Sequence, residues 1–167
     1  EQDISMRVIA DHARTTSMLV ADGMQPSNEG RGYVMRRIMR RAIRHGKKLG
    51  FDELFFHKIC DQVVEKMGDV YSDLIENRDL IIKVCETEER TFRRTIDTGL
   101  RILYREMDQM VIRGEKVISG QTVFKLYDTY GFPPDLTEVI AEENSMSCDL
   151  QGFEQEMEGQ NSVQRGV

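Results

Sequence analysis

The sequence predicts an all-α protein, a helical bundle of six or seven helices with one long spine helix and little or no sheet. The 167-residue chain has only three prolines, at positions 26, 133 and 134, so two long stretches can form uninterrupted helices. Apolar residues recur there at the helical spacings of three, four and seven. A composition of 40% hydrophobic and 31% charged residues is typical of a globular protein.

Three helices are predicted in the first part of the chain. The first covers about 3–23, with Asp3 as its N-cap, and ends near a glycine. The turn-rich loop DGMQPSNEGRG follows it. The second and third are predicted over about 33–47 and 52–66, each followed closely by a glycine.

The spine helix is predicted over about 73–110, which corresponds to a length of ~55 Å at about 1.5 Å per residue. Gly99 lies inside it and weakens it by ~1 kcal/mol. Beyond it, Val117–Ile118 is expected to form a short strand or an extended link. Ser119 and Asp149 are placed as N-caps of later helices, and another helix is predicted over about 135–143.

These elements divide the chain into two subdomains and a tail. Residues 1–112 are expected to form a helical subdomain that carries an arginine-rich helix, and residues 113–160 a smaller helical one. Residues 161–167 are expected to be a flexible tail. The chain begins without an initiator Met and directly in helical periodicity, which predicts a segment cut from a longer protein.

Composition argues against several classes of function. The three cysteines lie far apart and form no C-x-x-C pair, so we expect reduced thiols and no zinc site. No apolar run approaches the roughly 18 residues of a membrane span. A sequence pI near 5.2 argues against a generally basic nucleic-acid binder, so any role of that kind must be local.

Such a local concentration of charge exists. Residues 31–48 contain six Arg and two Lys and no acidic residue, a charge of +8 in a chain of net charge −6. On a helical wheel one half is apolar, with Val34, Met35, Ile38, Met39, Ala42 and Ile43. The other half is basic, with Arg36, Arg37, Arg40, Arg41, Arg44, Lys47 and Lys48. The pattern predicts a helix with one buried half and one cationic half.

Three interpretations of the cationic half remain open from the residues alone. It is a solvated surface or pairs with carboxylates of the same chain, it binds nucleic acid or phosphate, or it lies on a membrane. Solvated faces usually mix signs, and the planar fork of Arg matches phosphate oxygens. A membrane surface is disfavoured because the apolar half is weakly hydrophobic and the chain has no Trp.

The loop before this helix adds a second feature. Gly30 and Gly32 permit close backbone approach to a ligand near a helix N-terminus. Asn28 carries the donors and the acceptor that a base edge requires, although an Asx turn is an alternative role.

Three separated blocks, in order and covering most of the chain, carry a resemblance to a family. They are RVIADHARTTSMLVADGMQPSNEGRGYVMRRIMRRAIRHG (7–46), FKLYDTYGFPPDLT (124–137) and DLQGFEQEMEGQ (149–160). They resemble the region that follows the class II catalytic core in alanyl-tRNA synthetases.

The resemblance implies a tRNA-recognition segment whose parent enzyme attaches alanine to tRNA in an ATP-dependent reaction. The expected partners are the acceptor stem of tRNA(Ala) and the catalytic and editing domains of the same polypeptide, with no membrane. ATP with Mg and an editing-domain zinc are expected only in the parent, and no cofactor in this segment. The segment lacks the catalytic motifs and is not expected to form alanyl-adenylate alone. A cytoplasmic location is implied, or an organelle for an organellar parent.

The resemblance also implies residue roles. By motif match, Asn28 and Asp128 read a G·U wobble pair at the third position of the acceptor stem. A wobble pair leaves the guanine 2-amino group for a carboxylate, and a uracil carbonyl for an amide N–H. The residues expected to contact the tRNA backbone are Arg31, Arg36, Arg37, Arg40, Arg41 and Arg44. The alternatives are a non-specific nucleic-acid-binding module and a structural helical interaction module, with Asp128 as a helix cap or salt-bridge partner.

Overall fold

The computed structural model describes residues 1–164, which form eight helices and two very short strands. In chain order these are α1 (Gln2–Ala21), α2 (Gly30–Lys48), α3 (Phe56–Met67), α4 (Ser72–Glu76), α5 (Arg78–Arg113), β1 (Val117–Ile118), α6 (Gly120–Tyr130), α7 (Pro134–Glu143), β2 (Ser147–Cys148) and α8 (Leu150–Gln164). The predicted all-α class is therefore confirmed. None of the helices within residues 1–164 combines the length and the apolarity that crossing a bilayer requires.

The predicted spine helix is present, but it is preceded by a break. The Asn77 side chain donates from Nδ2 to the Asp73 carbonyl at 2.8 Å, and its backbone N–H donates to the same carbonyl at 3.1 Å. This local bonding closes α4 as a separate helix, because an Asn side chain competes with the helical backbone pattern. Helix α5 then runs for 36 residues, which corresponds to ~54 Å at about 1.5 Å per residue.

The chain divides into two compact units, Glu1–Phe92 and a second unit that begins at Arg93. In the first unit, α1 packs against α2, α3 and α4. Its fully or almost fully buried apolar side chains include Ile9, Ala13, Val20, Met35, Met39, Ile43, Phe56, Cys60, Val64, Leu74, Ile81 and Phe92.

A carboxylate from α5 fixes the start of α3. Glu89 is 0% exposed and accepts hydrogen bonds from the backbone N–H groups of Phe55, at 3.2 Å to Oε2, and Phe56, at 2.9 Å. The first N–H groups of a helix have no partner within the helix, so Glu89 satisfies two buried donors there. Helix α3 accordingly begins at Phe56, later than the predicted start near residue 52.

In the second unit, α6 packs against α7 and α8, and β1 pairs with β2 in parallel. Val117 lies opposite Ser147 and Ile118 opposite Cys148. The Val117–Ile118 segment is thus a strand, whereas its partner was not predicted, because two residues are too few to show an alternating pattern.

The unit boundary falls inside α5, at 92/93, and not at the predicted 112/113. Two residues that follow the boundary contact the second unit. Thr95 Oγ1 donates to the Tyr130 carbonyl at 3.0 Å, and a Cβ on Gly99 would lie 2.6 Å from the Phe132 ring. The glycine that weakens the spine helix is therefore the place where an aromatic ring packs against it.

The C-terminal part of the chain completes the second unit. Helix α8 includes residues 161–164 of the predicted tail, and residues 165–167 lie outside the described residues.

Candidate nucleic-acid interface

The loop between α1 and α2 folds back on the first turn of α2. The Ser27 backbone N–H donates to the Gly32 carbonyl at 3.1 Å, and Ser27 Oγ donates to the Glu29 carbonyl at 2.8 Å. A Cβ on Gly32 would lie 2.2 Å from Ser27 Oγ and 2.5 Å from the Gln25 carbonyl, so no side chain fits at this position. The loop is therefore anchored on both sides of Asn28.

Asn28 is exposed, and its side chain is attached to α2. Its Oδ1 accepts a hydrogen bond from Nη1 of Arg36, one of the arginines predicted to meet tRNA backbone. Nη2 of the same guanidinium lies 3.5 Å from the Pro26 carbonyl. One arginine thus links the loop to the helix at two points.

The buried side of α2 is rotated relative to the helical-wheel prediction. Four of the six predicted apolar positions are fully buried or nearly so: Met35, Met39, Ala42 and Ile43. Val34, predicted to be buried, is 51% exposed, whereas Arg40, predicted to lie on the cationic surface, is only 4% exposed. The prediction was wrong for these two residues, because a wheel gives relative angles and not the direction of the core.

Arg40 is accommodated by a carboxylate and an aromatic ring of α5. Arg40 Nε donates to Glu88 Oε1 at 2.9 Å, and both side chains are 5% exposed. The Arg40 guanidinium also lies over the Phe92 ring, 4.8 Å from its centroid, as a cation–π contact. Arg36 Nε is 3.0 Å from the same Glu88 oxygen, so one buried carboxylate faces two arginines.

The other four predicted backbone arginines remain accessible, and we call them the outer arginines. Arg31 and Arg41 are exposed, and Arg37 and Arg44 are half-buried. The Arg37 guanidinium lies 5.7 Å from the centroid of the Tyr33 ring. The cationic surface of α2 is therefore smaller than predicted, although it stays basic.

His45 does not add to that positive charge near neutral pH. Its Nδ1 lies 2.9 Å from Ser5 Oγ, at the contact between α1 and α2. Burial, followed by the nearby charges of Arg41, Lys48 and Arg44, lowers the pKa of His45 to about 4. The pKa of His12 is lowered as well, by burial and then by Arg41.

Asp128 lies in the last turn of α6 in the second unit, and its side chain is exposed. Oδ1 of Asp128 accepts a hydrogen bond from Gln160 Nε2 of α8 at 3.3 Å. Gly131 ends the helix in a left-handed conformation, with φ of 63°. Nearby, the Tyr127 ring packs edge-on against Phe153, with centroids 5.7 Å apart.

The structure brings Asn28, Arg36 and Arg40 into one connected cluster around Glu88. Neither Glu88 nor Gln160 was predicted from the sequence. A signal for Glu88 existed, because it lies three residues after Cys85 and four before Phe92, on the apolar stripe of α5. A carboxylate on a buried stripe requires hydrogen-bond donors, and a cationic side chain is one source of them. Among the described residues, no group of three or more His, Cys, Asp and Glu side chains is placed to hold a metal ion.

Known proteins are similar to this chain along nearly its whole length. The family model of class II (A) tRNA synthetases matches residues 1–166. The alanine–tRNA ligase of Myxococcus xanthus (strain DK1622) is 50% identical over 158 residues, which is 94% of this chain and 18% of that protein. The alanine–tRNA ligase of Alkaliphilus oremlandii (strain OhILAs) is 49% identical over 163 residues, or 98% of this chain and 18% of the relative.

A third alanine–tRNA ligase, from Anaeromyxobacter sp. (strain Fw109-5), is 50% identical over 176 residues, covering 97% of this chain and 20% of its own length. The chain thus spans about a fifth of the length of these relatives. With a family model matched along nearly the whole sequence, the chain belongs to the class II (A) tRNA synthetase family.

Proposed function

We propose that this chain is the acceptor-stem recognition segment of an alanine–tRNA ligase. In this proposal the outer arginines contact the RNA backbone, and Asn28 and Asp128 read a G·U wobble pair. The parent enzyme then attaches alanine to its tRNA with ATP, in the cytoplasm. The observation that carries the proposal is a loop amide, Asn28, held beside a helix whose accessible charges are all basic.

The chemistry of the two reading residues is complementary. The Asp128 carboxylate has acceptor oxygens and suits the guanine 2-amino group that a wobble pair leaves without a base partner. The Asn28 amide supplies donors for the uracil carbonyl. Each such contact discriminates by about 1–3 kcal/mol, or about 5- to 150-fold in affinity.

The backbone contacts act differently from the reading contacts. Arginine–phosphate contacts release counterions and so make affinity depend on salt, with a slope of ~0.7–0.9 per contact. They carry no sequence information by themselves. Arg41 is the best residue for testing this role. It is exposed, and it does not take part in the contacts with Glu88 and Phe92 that bury Arg40.

The test is fluorescence anisotropy with a minihelix that reproduces an acceptor stem, carrying G·U or G·C at the third pair. We expect this chain to bind the G·U stem more tightly, and Asp128→Asn to reduce that preference. Arg41→Ala should weaken both stems equally and lower the salt slope by about one. Arg101→Ala is the matched control, because Arg101 is exposed on α5 and contacts Thr98.

One observation favours a structural role for part of the arginine set. Arg36 and Arg40 both face Glu88 of the same chain, as the structural alternative requires. If neither stem binds at low salt, that alternative replaces the proposal. Equal affinity for the two stems and for duplex DNA would instead support a non-specific nucleic-acid-binding module.

A further inference from the structure

We propose that Arg36 is a positioning residue that sets the orientation of the Asn28 amide, with Glu88 as its anchor in the core. The inference deepens the proposed function, and it rests on that function for the assignment of Asn28 to base recognition. Arg36 was predicted to contact the tRNA backbone, and the inference instead gives it a role in the specificity for the G·U pair.

The Arg36 guanidinium faces three partners at once. Nε lies 3.0 Å from Glu88 Oε1, Nη1 donates to Asn28 Oδ1, and Nη2 lies 3.5 Å from the Pro26 carbonyl. The guanidinium group is rigid and planar, so contacts at all three of its nitrogens together restrict its orientation. With its side chain 22% exposed, Arg36 reaches from the interior to the surface loop.

Glu88, the anchor of Arg36, is also bound by a second arginine. Glu88 is 5% exposed and accepts a hydrogen bond from Arg40 Nε at 2.9 Å. Arg40 is itself stacked on the Phe92 ring. A buried carboxylate between two arginines has little freedom to move, because leaving either one would strand a charge in the interior.

The consequence at the outer end is a fixed orientation of the amide. An Asn side chain has an acceptor end, Oδ1, and a donor end, Nδ2. A flipped amide would direct N–H groups at the guanidinium, donor against donor, so the contact with Arg36 keeps Oδ1 toward α2. The hydrogen bonds that Asn28 makes to a base are then donated by Nδ2, which is the polarity that a uracil carbonyl requires.

The first test needs no RNA. In NMR spectra of the isotope-labelled chain, Asn28 should show a well-ordered side-chain amide, and Arg36→Ala should make it mobile. Arg36→Lys, which keeps the charge and a donor, should restore part of the order. Arg41→Ala is the matched control on the same helix and should leave the amide unchanged. Thermal unfolding followed by circular dichroism shows whether each variant folds. If Arg36→Ala does not fold, the test compares the order of the Asn28 amide in Arg36→Lys with that in the parent chain.

The second test is the preference for G·U over G·C minihelices. Arg36→Ala should reduce the preference by about 5- to 150-fold, the value of a base contact, with the salt slope unchanged. A slope lower by about one with an intact preference would make Arg36 a phosphate contact and overturn the inference.

The two tests separate the inference from the function on which it rests. An Asn28 amide that stays ordered in both Arg36 variants overturns positioning, whatever the RNA results are. An amide that becomes mobile, in a chain that never distinguishes the two stems, supports the positioning contact and overturns its role in specificity along with the proposed function.

Discussion

Glu88 Oε1 accepts a hydrogen bond from Arg40 Nε at 2.9 Å, and both side chains are 5% exposed. This buried ion pair joins α5 to α2 and changes the role of an arginine that the sequence pattern assigned to the surface. An ion pair of this kind adds little stability compared with an apolar pair of similar size, but the loss of one partner is costly. The pair therefore leads to the first prediction.

Removing one partner should destabilise the first unit strongly. Glu88→Ala leaves two arginines facing an empty site, and we expect a loss of about 3–5 kcal/mol in the free energy of unfolding. Urea denaturation followed by circular dichroism measures it. Glu86→Ala is the control, because the Glu86 side chain is 37% exposed and its contact is with His57, at 3.4 Å. The double variant Arg40→Met/Glu88→Leu should recover most of the loss, and a double variant as unstable as Glu88→Ala would contradict this account.

The Gly99–Phe132 contact predicts that Gly99→Ala destabilises the parent chain but stabilises a Phe132→Leu variant. Gly99→Ala improves helix propensity by about 1 kcal/mol. It also places a Cβ 2.6 Å from the Phe132 ring, an overpacking that costs about 1–3 kcal/mol. We expect net destabilisation of roughly 1 kcal/mol in the parent chain and stabilisation in a Phe132→Leu background. Paired urea titrations test this, and destabilisation of equal size in both backgrounds would refute the contact.

His45 should make stability depend on pH in the acid range. Its pKa is lowered to about 4 in the folded chain, whereas the pKa of an unfolded histidine is about 6.5. The unfolded state therefore takes up a proton first, and stability falls as pH decreases from about 6.5 towards 4. The parent should lose its advantage in urea midpoint over His45→Gln as the pH falls through that interval. A constant difference in urea midpoint from pH 7 to pH 4.5 would argue against a neutral, half-buried His45.

Asn28→Asp distinguishes the contact of residue 28 with Arg36 from its hydrogen bond to a base. The new carboxylate keeps an acceptor for Arg36 but has no donor to offer. We expect unchanged or higher thermal stability together with loss of the G·U preference, by about 5- to 150-fold, in the anisotropy assay. Asn28→Ala, which loses both functions, serves as the comparison. A preference that survives Asn28→Asp would show that Asn28 donates no hydrogen bond to the pair.

Local sequence was sufficient for most of the secondary structure. Ser119 accepts a hydrogen bond from the Thr122 N–H at 3.2 Å, and Asp149 one from the Gly152 N–H at 2.9 Å, so these two predicted N-caps are confirmed. The prediction was wrong for Asp3, which lies in the first turn of α1, because that helix begins one residue earlier, at Gln2. Periodicity also identified the spine helix and the three predicted helices before it. Most of their ends were predicted to within a few residues. These features depend on side chains close in sequence, which is why they can be deduced without coordinates.

The candidate site was predictable only in part. The residue pattern was enough to predict that α2 has an apolar side and a basic side, and that Asn28 lies in the loop before it. Which arginines face the core depends on packing between helices, because Arg36 and Arg40 contact Glu88, a residue 48 positions after Arg40. A helical pattern specifies the angles between side chains, whereas the rotation of the helix is set by the charges and the shape of the neighbour against which it packs.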